Sequence, residues 1–263
     1  MTRISAMSKV PAVTLGFWII KILATTLGET GGDTVTMTMN WGYLAGTVLF
    51  VSLLAALVVV QMFTSRFHPL LYWATIVAST TAGTTLADFA DRSLGIGYVG
   101  GTTVLLALLL LSLGLWYWSE RTISVDTVNT PRVEAFYWVT ITFSQTLGTA
   151  LGDWTAAGAD DSAATTGSLA LGYAGGSLVF AVALALIVAL YFWTGVSRVL
   201  LFWAAFILTR PLGATLGDLL DKPHAEGGLA LSRPLASLAI GIVMLALVLL
   251  LPQRPGRHPA KAS

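Results

Sequence analysis

Four charged or amide side chains interrupt apolar sequence, namely Lys21, Glu29, Gln145 and Arg210. Lys21 directly follows the apolar run VTLGFWII, and Arg210 directly follows FWAAFILT. A charge at the centre of a membrane-spanning helix costs at least ~2.5–3.5 kcal/mol, and such residues usually mark ion or proton pathways. These side chains therefore indicate a polar site inside an otherwise apolar protein.

A second chemical feature is an aspartate that recurs fifteen residues after a tryptophan in four segments. The segments are FWIIKILATTLGETGGD from Phe17, YWATIVASTTAGTTLAD from Tyr72, YWVTITFSQTLGTALGD from Tyr137 and FWAAFILTRPLGATLGD from Phe202. They end at Asp33, Asp88, Asp153 and Asp218. Each carboxylate falls at the C-terminal end of its helix, where the helix dipole is already negative, so a cation should compensate it. Four such ends predict an acidic ring that selects cations. Arg92, Lys222 and Arg233 are competing partners that would make these carboxylates structural instead.

The polar and small residues of each segment fall on one helical face. Counted from Thr25, offsets of three, four, seven and eight residues reach Gly28, Glu29, Gly32 and Asp33. The equivalent positions predict a substrate path lined by Lys21, Thr25, Glu29, Thr80, Thr84, Gln145, Thr149 and Arg210. The glycines on this face are expected to let helices touch through GxxxG spacing or a close variant. They are Gly28, Gly32, Gly83, Gly148, Gly152, Gly213 and Gly217.

The charges on this face differ between the four segments. Glu29 and Arg210 lie one helical turn apart in aligned depth, so we expect them to interact directly or through one water. Whether the pair fixes helix register or acts as a switch in a transport step is left open by the sequence. Lys21 has no obvious partner, and a desolvated lysine can exchange a proton.

Composition places the chain in a membrane. Hydrophobic residues make up 56% of the 263 residues and charged residues only 10%, whereas soluble domains carry about 25% charged residues. An apolar run follows each aspartate segment, and each is long enough, or nearly so, for the ~20 residues that a spanning helix needs. The sequence predicts an all-α membrane protein with eight transmembrane helices. These come from four parallel two-helix repeats around a pseudo-fourfold axis.

The expected organisation is one membrane domain over residues 1–263. Its repeats cover residues 10–64, 68–119, 132–194 and 198–252, and residues 253–263 form a disordered cytoplasmic tail. Basic residues such as Arg66, Arg121 and Arg198 lie between repeats, which predicts that both termini are cytoplasmic. The tryptophan that opens each segment is expected in an aromatic belt at the inner interface.

The fourfold pattern, from Phe17 to Leu251, resembles a bacterial family of integral membrane proteins defined by such a repeat. The resemblance rests on the aromatic-tryptophan opening and the Thr/Gly/Asp close of each first helix. It implies the fold and a bacterial cytoplasmic (inner) membrane location, and it implies no activity.

The residues predict a transporter, exporter or channel for a small cation, with proton coupling as one option. Two alternatives stay open: transport of an anion or acidic solute drawn to Lys21 and Arg210, and a structural or partner-binding membrane module. We expect no enzyme activity, because nucleophile-elbow, P-loop and HExxH motifs are absent from the sequence. The expected partners are the lipid bilayer and a small ion or solute, with no cofactor and no nucleic acid. The sequence identifies no metal and leaves homo-oligomerisation open.

Overall fold

The computed structural model describes residues 7–158 and 167–256, and this part of the chain is helical. It contains no β-strand beyond an isolated bridge between Pro11 and Pro255. The eight α-helices in the described residues are α1 (Leu15–Asp33), α2 (Gly42–Phe63), α3 (Pro69–Asp88), α4 (Gly97–Glu120), α5 (Pro131–Ala156), α6 (Gly172–Trp193), α7 (Arg198–Asp221) and α8 (Arg233–Leu250).

The odd-numbered helices carry the aspartate segments, and the even-numbered helices are the apolar runs. Five helices, α2, α4, α6, α7 and α8, are long and apolar enough to cross a membrane. Helices α1, α3 and α5 fall short of that hydropathy because their Thr/Gly/Asp faces dilute the apolar residues. In the apolar stretches of the even-numbered helices only 17–22% of residues are buried, against 67% in α7. The even-numbered helices therefore present apolar surface outward.

The odd-numbered helices form the core of the helix packing. Helix α1 packs against α3 and α7, and α5 also packs against α3 and α7. Each even-numbered helix covers the odd-numbered helix of the following repeat: α2 lies on α3, α4 on α5 and α6 on α7, while α8 returns to α1. The repeats are therefore interlocked, because each outer helix packs on an inner helix from a different repeat.

Capping residues and short turns fix where the core helices begin and end. Helix α1 begins after Thr14, whose side chain accepts a hydrogen bond from the amide of Phe17. Helix α5 begins after Thr130 in the same way, with Pro131 in its first turn. Helices α1 and α3 continue into one π-helical turn each, at Thr34–Thr38 and Phe89–Ser93. These turns begin directly after Asp33 and Asp88.

The tryptophans that open the segments lie mostly inside the protein, which corrects the aromatic-belt prediction. Trp73, Trp138 and Trp203 are 2–4% exposed and pack in one cluster with Phe17 and the other aromatic residues of the helix starts. The hydroxyl groups of Tyr72 and Tyr137 lie 2.6 Å apart in the same layer. Four helices bring an aromatic residue to the same level here, so most of these rings bury one another, and only Trp18 of the four tryptophans is partly exposed. This aromatic layer closes the end of the core that holds the helix starts.

The first residues of the predicted disordered tail have a defined place in the structure. Residues 253–256 pair with the segment before α1. The amide of Ala12 donates to the carbonyl oxygen of Arg254, and the amide of Gly256 donates to the carbonyl oxygen of Val10. The side chain of Gln253 also accepts a hydrogen bond from the indole of Trp73 at 3.2 Å. Both chain ends meet at this end of the bundle, so backbone pairing orders these residues. Residues 257–263 lie outside the described part of the chain.

Candidate functional site

Arg210 forms a buried polar cluster with one residue from each of the other three repeats. Its Nη2 atom lies 2.9 Å from Oε2 of Glu29 and 2.6 Å from Oγ1 of Thr84, and it also contacts Oγ1 of Thr149. Thr84 Oγ1 lies 3.2 Å from the same Glu29 oxygen. Glu29, Thr84 and Thr149 occupy the same position of their repeats, one turn beyond the position of Arg210. The expected direct contact between Glu29 and Arg210 is present in the structure.

The rest of the Arg210 guanidinium lacks partners. Its Nε and Nη1 atoms make no hydrogen bond, and the side chain is 0% exposed. A guanidinium carries five N–H donors, and only the two on Nη2 have acceptors here. Buried unpaired donors are costly, so the cluster retains unused capacity to bind an oxygen atom.

Lys21 lies one helical turn nearer the helix starts than the repeat position of Arg210, and it has a weak partner that the sequence did not reveal. Its Nζ atom lies 3.4 Å from Oε1 of Gln145 and 4.1 Å from the ring centroid of Phe206. The amide of Gln145 reaches Oγ of Ser79 at 3.5 Å. Lys21 is 0% exposed. The ammonium therefore rests on an amide oxygen and an aromatic face, with no carboxylate in contact among the described residues.

The remaining predicted path residues are also buried. Thr25 Oγ1 lies 3.2 Å from the carbonyl oxygen of Thr209 on α7, and Oγ1 of Thr80 makes no hydrogen bond. All eight predicted path residues are 0% exposed except Glu29 at 3%. The polar faces therefore pack against each other without water-filled space at these side chains.

The glycines on the polar faces lie against the next odd-numbered helix. A Cβ atom on Gly28 would meet the side chain of Thr80, and the same position in the other repeats shows the same relation. Gly83 lies against Gln145, Gly148 against Arg210 and Gly213 against Thr25. One turn further along, Gly32 lies against Thr84, Gly152 against Ala214 and Gly217 against Glu29.

Three of the four ring aspartates are paired with cations of the chain itself. Asp88 pairs with Arg92 at 3.1 Å. Lys222 Nζ lies 2.9 Å from Oδ2 of Asp33 and 3.1 Å from Oδ1 of Asp218. The carboxylate of Asp153 has no hydrogen bond or ion pair to any described residue and is 7% exposed. The competing partners named from the sequence thus occupy most of the ring.

A carboxylate cluster that could hold a metal ion joins Glu29 of the Arg210 cluster to two aspartates of the ring. Glu29, Asp33 and Asp218 are buried and place one carboxylate oxygen each within 4.8 Å of one another. Oδ1 of Asp33 and Oδ1 of Asp218 accept no hydrogen bond. Oxygen ligands of this kind suit hard cations.

Sequence reasoning missed two further groups of buried charge. Asp91 and Asp221 lie beside the ring, and Asp221 is 3.4 Å from Arg233. At the opposite end, Lys9 pairs with Glu134 at 2.6 Å and reaches the last carbonyl groups of α2. The position of Glu134 in the first turn of α5, where the helix dipole favours an acid, was the available signal for the second group.

The comparisons with known proteins identify the family. The model of the Repeat of Unknown Function family (DUF347) matches residues 16–67, 71–122, 136–197 and 201–252. The matches cover most of the chain, which therefore belongs to this family of four-repeat proteins. No curated protein and no solved structure matches the chain.

Proposed function

We propose that the protein transports a small cation, with or without a coupled proton, through the core of the odd-numbered helices. The observation that supports this proposal is an excess of buried carboxylates at the C-terminal ends of those helices. Among the described residues there, seven buried acids accompany four cations. The acids are Glu29, Asp33, Asp88, Asp91, Asp153, Asp218 and Asp221, and the cations are Arg92, Arg210, Lys222 and Arg233.

The excess has a direct physical consequence. Burying a carboxylate without a partner costs free energy, and this cost is removed when the carboxylate takes up a proton or binds a cation. Including Lys21 as a fifth cation still leaves the carboxylates in the majority. Asp153, which has no partner among the described residues, is the first carboxylate to which we assign proton or cation binding.

The proposal includes an arrangement in the membrane. Eight spans, with the odd-numbered helices around a pseudo-fourfold axis and glycine-mediated contacts between them, would account for the repeated glycine relations. Both termini would lie in the cytoplasm of a bacterial cell, with the ring of aspartates at the outer face of the inner membrane. The aromatic layer then forms the cytoplasmic closure of the path.

Transport by this core requires a change of conformation. The aromatic layer closes one end, the ion pairs of the ring occupy the other, and Lys21, Gln145 and Arg210 between them have 0% exposure. We assign this structure to an occluded state. A carrier that opens to one side at a time fits these closures better than a permanently open channel.

The experiment is cation flux into liposomes containing the purified full-length protein, with Na⁺, K⁺, Mg²⁺, Ca²⁺ and Mn²⁺ tested with and without a pH gradient. The expected result is protein-dependent uptake of at least one cation that Asp153→Asn abolishes. Glu120→Gln is the matched control, because Glu120 pairs with Arg132 at the opposite end of the bundle. Flux that is equal in liposomes without protein, or that Asp153→Asn leaves intact, contradicts the proposal.

Two observations favour the other candidate functions. The dry packing of the polar faces is what a non-transporting structural or partner-binding module would show, and such a module gives no flux of any ion while remaining folded. The unpaired N–H donors of Arg210 favour an anion. Chloride, phosphate and a small carboxylate therefore belong in the same flux panel.

A further inference from the structure

Lys222 differs from the other residues at its repeat position. It lies four residues after Asp218, and Arg92 lies four residues after Asp88. The same position holds Met37 in the first repeat and Ala157 in the third. A cation one turn after the aspartate therefore occurs in two of the four repeats.

The two cations make different contacts. Arg92 pairs with Asp88 one turn earlier in the chain and lies over the ring of Tyr98, and its side chain is 23% exposed. Lys222 reaches across to another repeat: its ammonium bridges Asp218 of its own helix and Asp33 of α1, and its side chain is 10% exposed. The Lys222 ammonium is thus a buried cation held between carboxylates from two helices.

The contacts of Lys222 leave cation-binding capacity unused. Oδ1 of Asp33 accepts no hydrogen bond, and neither does Oδ1 of Asp218, although Lys222 Nζ lies 3.1 Å from the latter. Glu29 places a third carboxylate oxygen within 4.8 Å of the other two. Arg210 also pairs with Glu29, and Arg233 lies 3.7 Å from Oδ2 of Asp33, so the unused binding capacity lies in the two buried Oδ1 atoms. A divalent ion of the Mg²⁺, Ca²⁺ or Mn²⁺ class prefers several carboxylate oxygens.

We propose that the Lys222 ammonium is a tethered cation that occupies a divalent-cation site formed by Glu29, Asp33 and Asp218, and that it must leave before the ion binds. The proposal rests on the proposed cation transport and names both its substrate class and its built-in competitor. Arg210 stays with Glu29 and keeps that carboxylate oriented in the absence of the ion.

The position of Lys222 in the fold lets its side chain leave without unfolding a helix. Lys222 directly follows α7, and its backbone carbonyl is held by the amide of Ala230 at 2.9 Å. Residues 223–227, which follow it, are exposed. A lysine stem has four rotatable bonds, so the ammonium can move to solvent while the backbone stays in place.

The test measures Mn²⁺ binding to the purified full-length protein in detergent, from the electron paramagnetic resonance signal of free Mn²⁺. If the ammonium occupies the site at least ~90% of the time, it weakens the apparent affinity about tenfold. We therefore expect Lys222→Met to bind Mn²⁺ at least about tenfold more tightly than the unaltered protein. Lys222→Arg should stay weak, and adding Asp33→Asn to Lys222→Met should remove the gain. Arg132→Met is the charge-matched control, since Arg132 is exposed at the other end of the bundle.

A second variant protects the test against poor folding of Lys222→Met. The chain contains no cysteine, so Lys222→Cys can be modified selectively. Aminoethylation of the thiol restores an ammonium and should weaken Mn²⁺ binding again, whereas methylthiolation, which forms a neutral methyl disulfide, should not.

The outcomes separate this inference from the proposed function. Equal Mn²⁺ affinity in the unaltered protein and in Lys222→Met, or equal affinity in the two modified forms of Lys222→Cys, overturns the inference, even if the protein transports a cation. Tighter binding by Lys222→Met supports the site, and absence of cation flux in the same preparations then removes the proposed transport alone.

Discussion

Neutralising one member of the Glu29–Arg210 pair should harm the protein more than neutralising both. The two side chains are 4% and 0% exposed, and their charged atoms lie 2.9 Å apart. Removing one partner of a buried pair leaves an uncompensated charge and typically costs ~3–5 kcal/mol, while replacing both costs far less. At ~2–4 °C per kcal/mol for a chain of this size, each single variant should melt about 6–20 °C lower.

The structure also orders the two single variants. Arg210→Gln leaves the Glu29 carboxylate within 4.8 Å of carboxylate oxygens of Asp33 and Asp218, so repulsion adds to the loss of the partner. Glu29→Gln leaves Arg210 in contact with the hydroxyl groups of Thr84 and Thr149. We therefore expect Arg210→Gln to be the less stable variant, and the double variant to be more stable than either.

The assay is thermal unfolding of the purified proteins in detergent as a double-mutant cycle. The exposed pair Arg132–Glu120, with side chains 72% and 26% exposed, is the matched control. Exposed pairs typically give coupling energies of only ~0.2–1 kcal/mol. Losses for Glu29→Gln and Arg210→Gln that simply add in the double variant would refute the buried-pair reasoning. In a well-folded double variant, loss of flux assigns the pair to transport, and full flux assigns it to structure.

Three further predictions concern packing, protonation and topology. Gly148→Ala should lower the free energy of unfolding by roughly 1–3 kcal/mol, because the added Cβ would meet Arg210 and lie 3.1 Å from Cδ of Pro211. Gly31→Ala is the control and should not destabilise the protein, because a Cβ there would have no atom within 4 Å. Burial, together with the charge of Asp88, raises the pKa of Asp91, in the turn after α3, from 3.8 to about 7. Between pH 3.8 and about 7, the folded protein therefore holds a proton on Asp91 that the unfolded chain has lost, so folding stability falls as pH rises through this range. The melting temperature of Asp91→Asn should not show this part of the fall with pH. Cysteine labelling should modify Glu226→Cys from outside the cell and Arg66→Cys only from inside, and the reverse pattern would overturn the topology.

Spacing within the segments predicted the contacts that depend on depth along a helix. Glu29, Thr84 and Thr149 share one repeat position, and Arg210 lies one turn earlier, so any close packing of the four faces brings them to similar levels. The contact between Glu29 and Arg210 follows from that register. The same argument did not predict Lys21 beside Gln145, because a weak amide contact leaves no mark on the pattern of charges.

Contacts that depend on which helices are neighbours could not be predicted from the sequence. Helix α2 lies on α3 rather than on α1, and α8 lies on α1. Apolar faces are interchangeable in this respect, since the hydropathy of an outer helix does not specify which inner helix it covers. The bridge from Lys222 to Asp33 joins the fourth repeat to the first, and it depends on the packing of α7 against α1. Sequence spacing showed only that Lys222 follows Asp218 by one turn.

Lys21 distinguishes the transport proposal from the structural module most directly. Its ammonium is fully buried and has an amide oxygen at 3.4 Å and an aromatic ring as partners, so it recovers little of its lost hydration. Replacing even a buried ion pair by apolar side chains of similar size is often stabilising by ~1–4 kcal/mol, and the Lys21 ammonium is less well compensated than such a pair. Lys21→Met should therefore melt at a higher temperature than the unaltered protein. If cation flux is lost in this stabilised variant, the charge serves transport at a cost in stability. If flux persists unchanged, Lys21 lies outside the path, and a lower melting temperature would show that its contacts compensate the charge after all.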